Sequence, residues 1–430
     1  MRNRLFIATL TVTLLVVVGD RAWAQSQTQP TKVVEFDDAV ARAVAAHRSV
    51  AQAAVAIERA EGLLRQARAA TLPVVSATIS STTLDREVGF DDRVTQPQTQ
   101  VTFGLNASMQ VLAPARWAAS AQARDQVAIA EQSVVEARRQ IAIAAGQAYL
   151  AVIAQRRQVE VTTRSVENAR AHLDYARKRR EGGLGSRLNE LRAQQSLSTD
   201  EVRLENARLA LLQAQEALGI ILVEDGPVDA GSEPALTVPP TSSDAAVAQA
   251  LAERSDLVLQ RAVKAAAERV FDDSVRDIMP AGTISFAPQY VTPRGLFQPS
   301  KSWRLTLSVT QPIFEGGQRA GVKMLRAAAV NQAQLTIESL EIELRAEARF
   351  AQASIDSYSR ALDRARAAAS QAAEVLTITT GAFELGASTN LEVIDAQRSA
   401  RDAEAAAVIA EDHLRRARLD LLIALGRFGG

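Results

Sequence analysis

Gln311-Pro312-Ile313-Phe314-Glu315-Gly316-Gly317 opens the stretch whose reading decides the fold. About sixty residues of uninterrupted helical pattern follow, reaching Thr380 without a proline. Within it Val330, Ile337, Leu344, Ala351, Tyr358, Ala365 and Ala372 recur at every seventh position. That period keeps one stripe of the helix against a partner, as in a coiled coil. At ~1.5 Å per residue, the helix is roughly 100 Å long. It breaks at Gly381-Ala382-Phe383-Glu384-Leu385-Gly386, where glycine can end a helix and turn the chain. A second helix starts with Thr389-Asn390-Leu391-Glu392-Val393-Ile394-Asp395-Ala396. Such a helix is no part of an ordinary globular core; it reaches across a space.

Upstream of this stretch the period changes from seven to two. Trp303, Leu305, Leu307 and Val309 alternate with Arg304, Thr306, Ser308 and Thr310, and Ile284, Phe286 and Tyr290 share one face of a preceding strand. The same pattern stands earlier in the chain. Val101, Phe103, Leu105, Ala107, Met109 and Val111 lie on one face, with Thr102, Gly104, Asn106, Ser108 and Gln110 on the other. Val75-Ser76-Ala77-Thr78-Ile79-Ser80 alternates before it. Strict alternation over about ten residues fits a tilted transmembrane strand, and equally a half-buried strand of a soluble sheet.

The order of elements repeats. Helix from Asp37 to Leu72-Pro73, two strands, a long helix from Ala115 to Glu181, a Gly182-Gly183-Leu184-Gly185 turn and a helix from Leu188 to Leu222 make the first unit. Its long helix carries a heptad ladder of Ala145, Val152, Val159, Val166 and Leu173. Ala246-Val247 stands 207 residues after Ala39-Val40, Gln311 stands 201 after Gln110, and Leu391, Ala396, Gln397 and Ser399 stand 203 after Leu188, Ala193, Gln194 and Ser196. The chain is an internal duplication of helix–strand–strand–helix–helix. The first repeat covers 25–222, with strands at about 74–84 and 100–112, and the second covers 244–430, with strands at about 282–291 and 302–313. Residues 25–33 read as irregular, and 223–243 as a proline-rich linker.

Composition narrows the function. Lys plus Arg and Asp plus Glu are 49 each, so no basic field recommends nucleic acid as a partner. Cysteine is absent, which excludes disulfides, thiolate metal sites and a lipidated cysteine. Met1-Arg2-Asn3-Arg4, the apolar run Leu5 to Val18 and Ala22-Trp23-Ala24 read as a secretory signal over 1–24, with Gln25 the first mature residue. Beyond it no stretch reaches ~18 apolar residues, so any membrane crossing falls to strands. His47, His172 and His413 are scattered on helices and read as solvated or packing residues. Gly316-Gly317 is no phosphate loop, since no Lys-Ser/Thr follows. No catalytic constellation, cofactor site or metal site emerges, and an enzyme is not expected.

Four strands cannot close a membrane barrel, because the smallest need about eight. An open sheet in lipid would leave unsatisfied edges. Copies of the chain must therefore complete one barrel and one ring of helices, and the arithmetic permits a dimer or a trimer.

The duplicated arrangement, the Gln311–Gly317 segment and the Gly386–Ser399 segment resemble the TolC family of outer-membrane efflux proteins, over essentially the whole mature chain. The resemblance implies a mainly α fold with a membrane β-barrel portion. Four strands per chain would contribute to a trimeric β-barrel, and the coiled-coil helices would form an α-helical barrel across the periplasm. Segments 25–33 and 223–243 would join an equatorial belt, and loops 85–98 and 292–301 would face the exterior. It implies a homotrimer in outer-membrane lipid that acts as the passive exit duct of a tripartite export system. Its partners would be a periplasmic adaptor (membrane fusion) protein and an inner-membrane pump or ABC transporter. Small-molecule efflux is the expected cargo class, with a type I protein secretion duct as the alternative. A periplasmic coiled-coil adaptor or scaffold is the rival from another class.

Site expectations follow from the same source. Glu392 and Asp395 stand three apart on one helix face. From the residues alone they are solvated first-turn acids favoured by the helix dipole. The resemblance makes them rings at a periplasmic constriction. There Phe383 stands where a gating tyrosine can occur, Ser388 where an arginine can occur, and Asn189 at a position that can be aspartate. A gate held mainly by packing is the expectation. Gly183-Leu184-Gly185-Ser186 and Leu385-Gly386-Ala387 read either as plain helix caps or, by the resemblance, as adaptor-docking tips. Tyr290, Phe297 and Trp303 are candidate membrane-interface aromatics.

Overall fold

The computed structural model describes residues 32–90, 93–238 and 242–429. The expected signal segment 1–24 and the part of 25–33 up to residue 31 lie outside them. In chain order the elements are β1 (Lys32–Val34), α1 (Phe36–Ala46), α2 (Arg48–Ala69), β2 (Val74–Thr83), β3 (Val88–Phe90), β4 (Arg93–Gln96), β5 (Thr99–Leu112), α3 (Pro114–Glu181) and α4 (Arg187–Leu222). The second half holds β6 (Val228–Ala230), α5 (Ser243–Glu253), α6 (Ser255–Asp272), a 3₁₀ turn at Asp273–Ile278, β7 (Ala281–Thr292), β8 (Lys301–Thr310), α7 (Gln318–Glu384) and α8 (Asn390–Ala424).

The long helices α3 and α7 have 68 and 67 residues. The heptad positions explain their pairing. Ile337, Leu344 and Ala351 are buried in α7, as are Ala145, Val152, Val166 and Leu173 in α3. α7 packs along α8, α3 along α4, and α2 and α6 lie against α3 and α7. Pro114 begins α3, where its missing N–H costs nothing. Gly316 and Gly317, with φ of 60° and 91°, turn the chain from β8 into α7. Both glycines lie in open space, so the constraint there is backbone conformation. Arg319 holds the joint by donating to the Pro312 carbonyl and to Glu315.

Strands β2, β5, β7 and β8 form one antiparallel sheet in that order. Its register aligns Ile79, Phe103 and Tyr290 in one row, and Phe286 opposite Leu305 in another. Apart from Val111, which falls at the Gln110/Leu112 bulge, the apolar residues expected on one face share it, and among the described residues no helix packs on that face.

The thick core lies where α3 passes its midpoint, and a smaller cluster with Ala246, Leu421 and Leu425 lies at the α7 midpoint, Ala351. In the first, Val34, Phe36, Tyr149, Leu150, Leu218 and Leu419 pack around β1 and β6. Those two strands pair in parallel, Val33 opposite Asp229. Tyr149 is fully buried, sits edge-on to Phe36 at 5.3 Å, and donates to the Ser232 carbonyl at 2.7 Å.

Several boundaries differ from the sequence expectation. The end of 25–33 is ordered as β1, and the 223–243 linker contains β6, because each supplies the other's missing strand partner. The first helix breaks at His47, which is extended and accepts from the Ser49 N–H through Nδ1. Its counterpart breaks at Arg254, 207 residues on, so the duplication preserves the kink itself. Around Arg254 an ionic cluster of Asp256, Glu347, Glu136 and Arg139 welds the kink to α3 and α7. Connection 85–98 folds into the β3–β4 hairpin. β8 stops at Thr310, short of the expected 313, and α7 continues through Gly381 to Glu384.

Candidate functional site: the sheet and the helical tips

The chain has two chemically distinct ends. At the strand end the apolar face is open to its surroundings. Ile79, Trp303 and Leu307 are 74%, 69% and 66% exposed. The opposite face carries Thr78, Asn106, Ser108, Gln289, Arg304 and Thr306. A soluble sheet would cover such an apolar face with helices, and none of the described helices does so, so the alternation is that of a sheet with lipid on one side and water on the other. Tyr290 and Trp303 lie on the apolar face near the connections, each two residues from the strand terminus. Phe103 packs against Tyr290 with centroids 6.3 Å apart, and Phe286 against Trp303 at 6.0 Å. Phe297 is exposed in the β7–β8 connection. The sequence reading passed over Phe314 and Trp117, exposed at the other end of the sheet. Their position just beyond strand termini was the available signal.

At the far end both long helices finish in glycine caps. The Leu184 N–H bonds the Arg179 carbonyl at 2.9 Å and the Ala387 N–H bonds the Ala382 carbonyl at 2.8 Å. Gly183 and Gly386 supply the left-handed residue, with φ of 77° and 80°. Gly185 is required differently, since a Cβ there would stand 2.8 Å from the Arg180 nitrogen. In such caps the residue after the glycine usually packs back on the helix. Leu184 instead is 78% exposed, and Leu385, which precedes its cap glycine, is 88% exposed.

Ser186 and Thr389 cap the returning helices. The Ser186 hydroxyl accepts from the Asn189 N–H, and Thr389 with Glu392 forms a reciprocal capping box. Glu392 Oε2 accepts from the Thr389 N–H at 2.8 Å and from the Ser388 hydroxyl at 2.5 Å. The Ser388 hydrogen bond, then the Thr389 N–H, hold its carboxyl below the usual glutamate range. Glu392 therefore has a local task that accounts for its presence. Asp395 is exposed, with Arg398 4.0 Å away.

Phe383 does not project from the tip. It is buried between α3 and α7, with His172 and Tyr175 centroids at 5.5 and 5.4 Å and the Arg179 guanidinium 5.2 Å from its ring centre. Packing is joined by hydrogen bonds between the repeats. His172 Nε2 meets Asn390 Oδ1 at 2.9 Å, Asn390 Nδ2 reaches the Asn189 carbonyl at 3.5 Å, and Tyr175 donates to the Glu384 carbonyl at 3.2 Å. The sequence reading missed two buried acids as well. Glu190 is bound by Arg180 at 2.6 Å and Arg187 at 3.1 Å. Asp200 is bound by Arg401 at 2.7 Å and Arg203 at 2.9 Å. The arginine density around 177–192 was the only hint of the first.

Among the described residues no cluster of His, Asp or Glu could hold a metal, and no helix is long and apolar enough to cross a membrane. What the architecture defines is a membrane sheet carried on a helical shaft, the build of an outer-membrane channel. The family model described as outer membrane efflux protein matches residues 39–222 and 232–427, and the chain belongs to that family. It is thus an outer-membrane efflux channel with a large periplasmic portion and not an enzyme. Among solved structures it is similar to the outer membrane protein VceC of Vibrio cholerae, with a TM-score of 0.76 and 19% identity over 91% of this chain and 96% of that one. It is similar to the CmeC outer membrane channel of Campylobacter jejuni, with a TM-score of 0.77 and 14% identity over 99% and 94%. It also resembles the open state of the MtrE outer membrane channel of Neisseria gonorrhoeae, with a TM-score of 0.76 and 18% identity over 91% and 88%. No curated protein sequence matches the chain.

Proposed function

We propose that three copies of this chain form one passive duct, the outer-membrane exit of a tripartite export system for small molecules. The observation that carries this reading is the uncovered four-stranded sheet, polar on one face and apolar on the other. Four strands leave β2 and β8 as edges, and edges in lipid cost several kcal/mol per unsatisfied group. Twelve strands from three copies close a barrel wide enough for a water-filled lumen. The helices then continue the lumen across the periplasm, and an inner-membrane pump supplies the energy. An adaptor docks on the exposed Leu184 and Leu385 tips. Glu392, Asp395, Ser388 and Asn189 ring the narrow end, with Phe383 packed behind them. Of the two acids, Asp395 is the freer to act on passing ions, since Glu392 is engaged in its capping box.

The test is conductance of the purified protein in planar bilayers beside Glu392→Ala/Asp395→Ala. Discrete channels whose cation preference falls in the double variant support both the duct and the acidic constriction. Channels of unchanged selectivity leave the acids as helix caps. Folded protein that forms no channel would overturn the duct in favour of a periplasmic scaffold.

A further inference from the structure

His172 is the buried titratable group for which conduction through a pore offers no explanation. It is 6% exposed, on the inner side of α3 about two turns short of the tip. Its ring joins three elements. It packs at a tilt against Phe383 of α7, bonds Asn390 at the start of α8, and through Asn390 reaches the Asn189 carbonyl on α4. Tyr175 and Arg179 also join the hairpins, through the Glu384 and Phe383 carbonyls, but both are only half-buried, whereas His172 is buried. A cleft of about 550 Å³ opens beside it, lined by Tyr175, Thr377, Thr380 and Glu384. The ring is therefore one small displacement from water.

We infer that His172 is a positioning residue for the tips, a tie that holds the two helical hairpins together while neutral and releases them when protonated. The inference rests on the duct reading, in which the tips are the end that opens. Protonation does not remove the hydrogen bond to Asn390, because Nε2–H donates in either state. It places a full charge in a site that supplies no counter-ion. On α3, Tyr175 supplies no carboxylate and Arg179 is a cation held over the Tyr175 and Phe383 rings. On α7, Glu384 lines the cleft but is solvent-exposed and makes no ion pair with the ring among the described residues. On α8, Asn390 is neutral, and Glu392 and Asp395 are exposed, one engaged in its cap and the other beside Arg398. On α4, Glu190 is occupied by its arginines.

Burial accordingly lowers the His172 pKa from its ordinary 6.5, only partly offset by the Asn390 hydrogen bond. The sign follows from linkage. A histidine held neutral in the tied state stabilises that state fully above its free pKa, and the stabilisation is lost as pH falls through the lowered one. For each unit between the two values, acidification through both shifts the equilibrium about tenfold toward separated hairpins. A duct with this tie opens more readily when the periplasm is acid.

The absence of cysteine makes the test direct. Chains carrying Leu184→Cys together with Leu385→Cys, the only two thiols and one on each hairpin, are spin-labelled, diluted into unlabelled chain in the assembled protein, and the distance between the two tips of one chain is measured between pH 7.5 and 5.5. The expected result is a reversible lengthening in the parent and none in His172→Gln, while His47→Gln and His413→Gln behave as the parent does. Asn390→Asp gives a second check, because a carboxylate against the ring supplies the missing counter-ion and should abolish the acid response while the protein still assembles. Distances that do not change with pH in the parent, or that change equally in His172→Gln or Asn390→Asp, overturn the tie. The readout is a distance, so absence of conduction at every pH would count against the duct alone.

Discussion

Leu305 offers the most decisive test of how the sheet is used. It sits at the middle of β8, opposite Phe286, and is 57% exposed within the chain. At about 3.3 Å per residue and a tilt near 40°, the ten residues of β8 rise about 25 Å, the height of the apolar band of an outer-membrane barrel. Leu305 thus falls near the bilayer midplane, where an arginine facing lipid costs about 2–4 kcal/mol. In a ring of three chains the cost recurs in each, about 6–12 kcal/mol per assembly. Thr306, one residue on, faces the other side, where Arg304 already stands. The expectation is that Leu305→Arg fails to assemble in lipid vesicles or unfolds at much lower urea, while Thr306→Arg assembles normally and alters single-channel conductance. Urea titration of vesicle-inserted protein with intrinsic tryptophan fluorescence reads the first effect. Equal tolerance of the two arginines would refute the two-faced assignment, and damage confined to Thr306→Arg would reverse it.

Three further expectations concern the shaft and its tips. Leu184→Asp and Leu385→Asp should abolish efflux in cells without lowering the yield of assembled protein; surviving transport would move the docking surface elsewhere. Asp200→Ala leaves Arg401 nearly buried with Asp402 as its remaining carboxylate, and should cost about 3 kcal/mol, most of it recovered by Asp200→Leu/Arg401→Met, as read by denaturation in detergent. The capping-box contribution of Glu392 is complete above the ordinary glutamate pKa of 4.5 and is lost as pH falls through its lowered value, so amide exchange at 390–393 should accelerate only in that acid range, and Glu392→Gln should flatten the profile.

Much of this architecture could be read without coordinates because its two periods are long and unmixed. Seven-residue spacing from Val330 to Ala372 leaves room for nothing but a paired helix, and the alternation from Val101 to Val111 for nothing but a strand. What escaped was set by contacts between distant positions. His47 and Arg254 break their helices without glycine or proline, so no local signal marks them except that both precede a serine within two residues. β1 and β6 are three residues each and exist only because they pair. His172 and Asn390 are 218 residues apart. Their meeting depends on how α3 and α8 are rotated about their axes, which a heptad pattern specifies only for the stripe it covers. The packing of the Phe383 ring against His172, Tyr175 and Arg179 likewise lay beyond the sequence, because its three partners stand on a helix about 200 residues away.

The order β2-β5-β7-β8 has a genetic consequence. Each chain ends its sheet on one strand from the first repeat and one from the second, so each needs a neighbour on both sides before both edges are satisfied. A defective chain that still presents one good edge can enter a ring and spoil it. For a ring of three chains, the assembly proposed above, a cell making equal amounts of sound and defective chains would have about one ring in eight wholly sound. A partial-loss allele in the strands should therefore be dominant, whereas an allele that destroys both edges should be recessive.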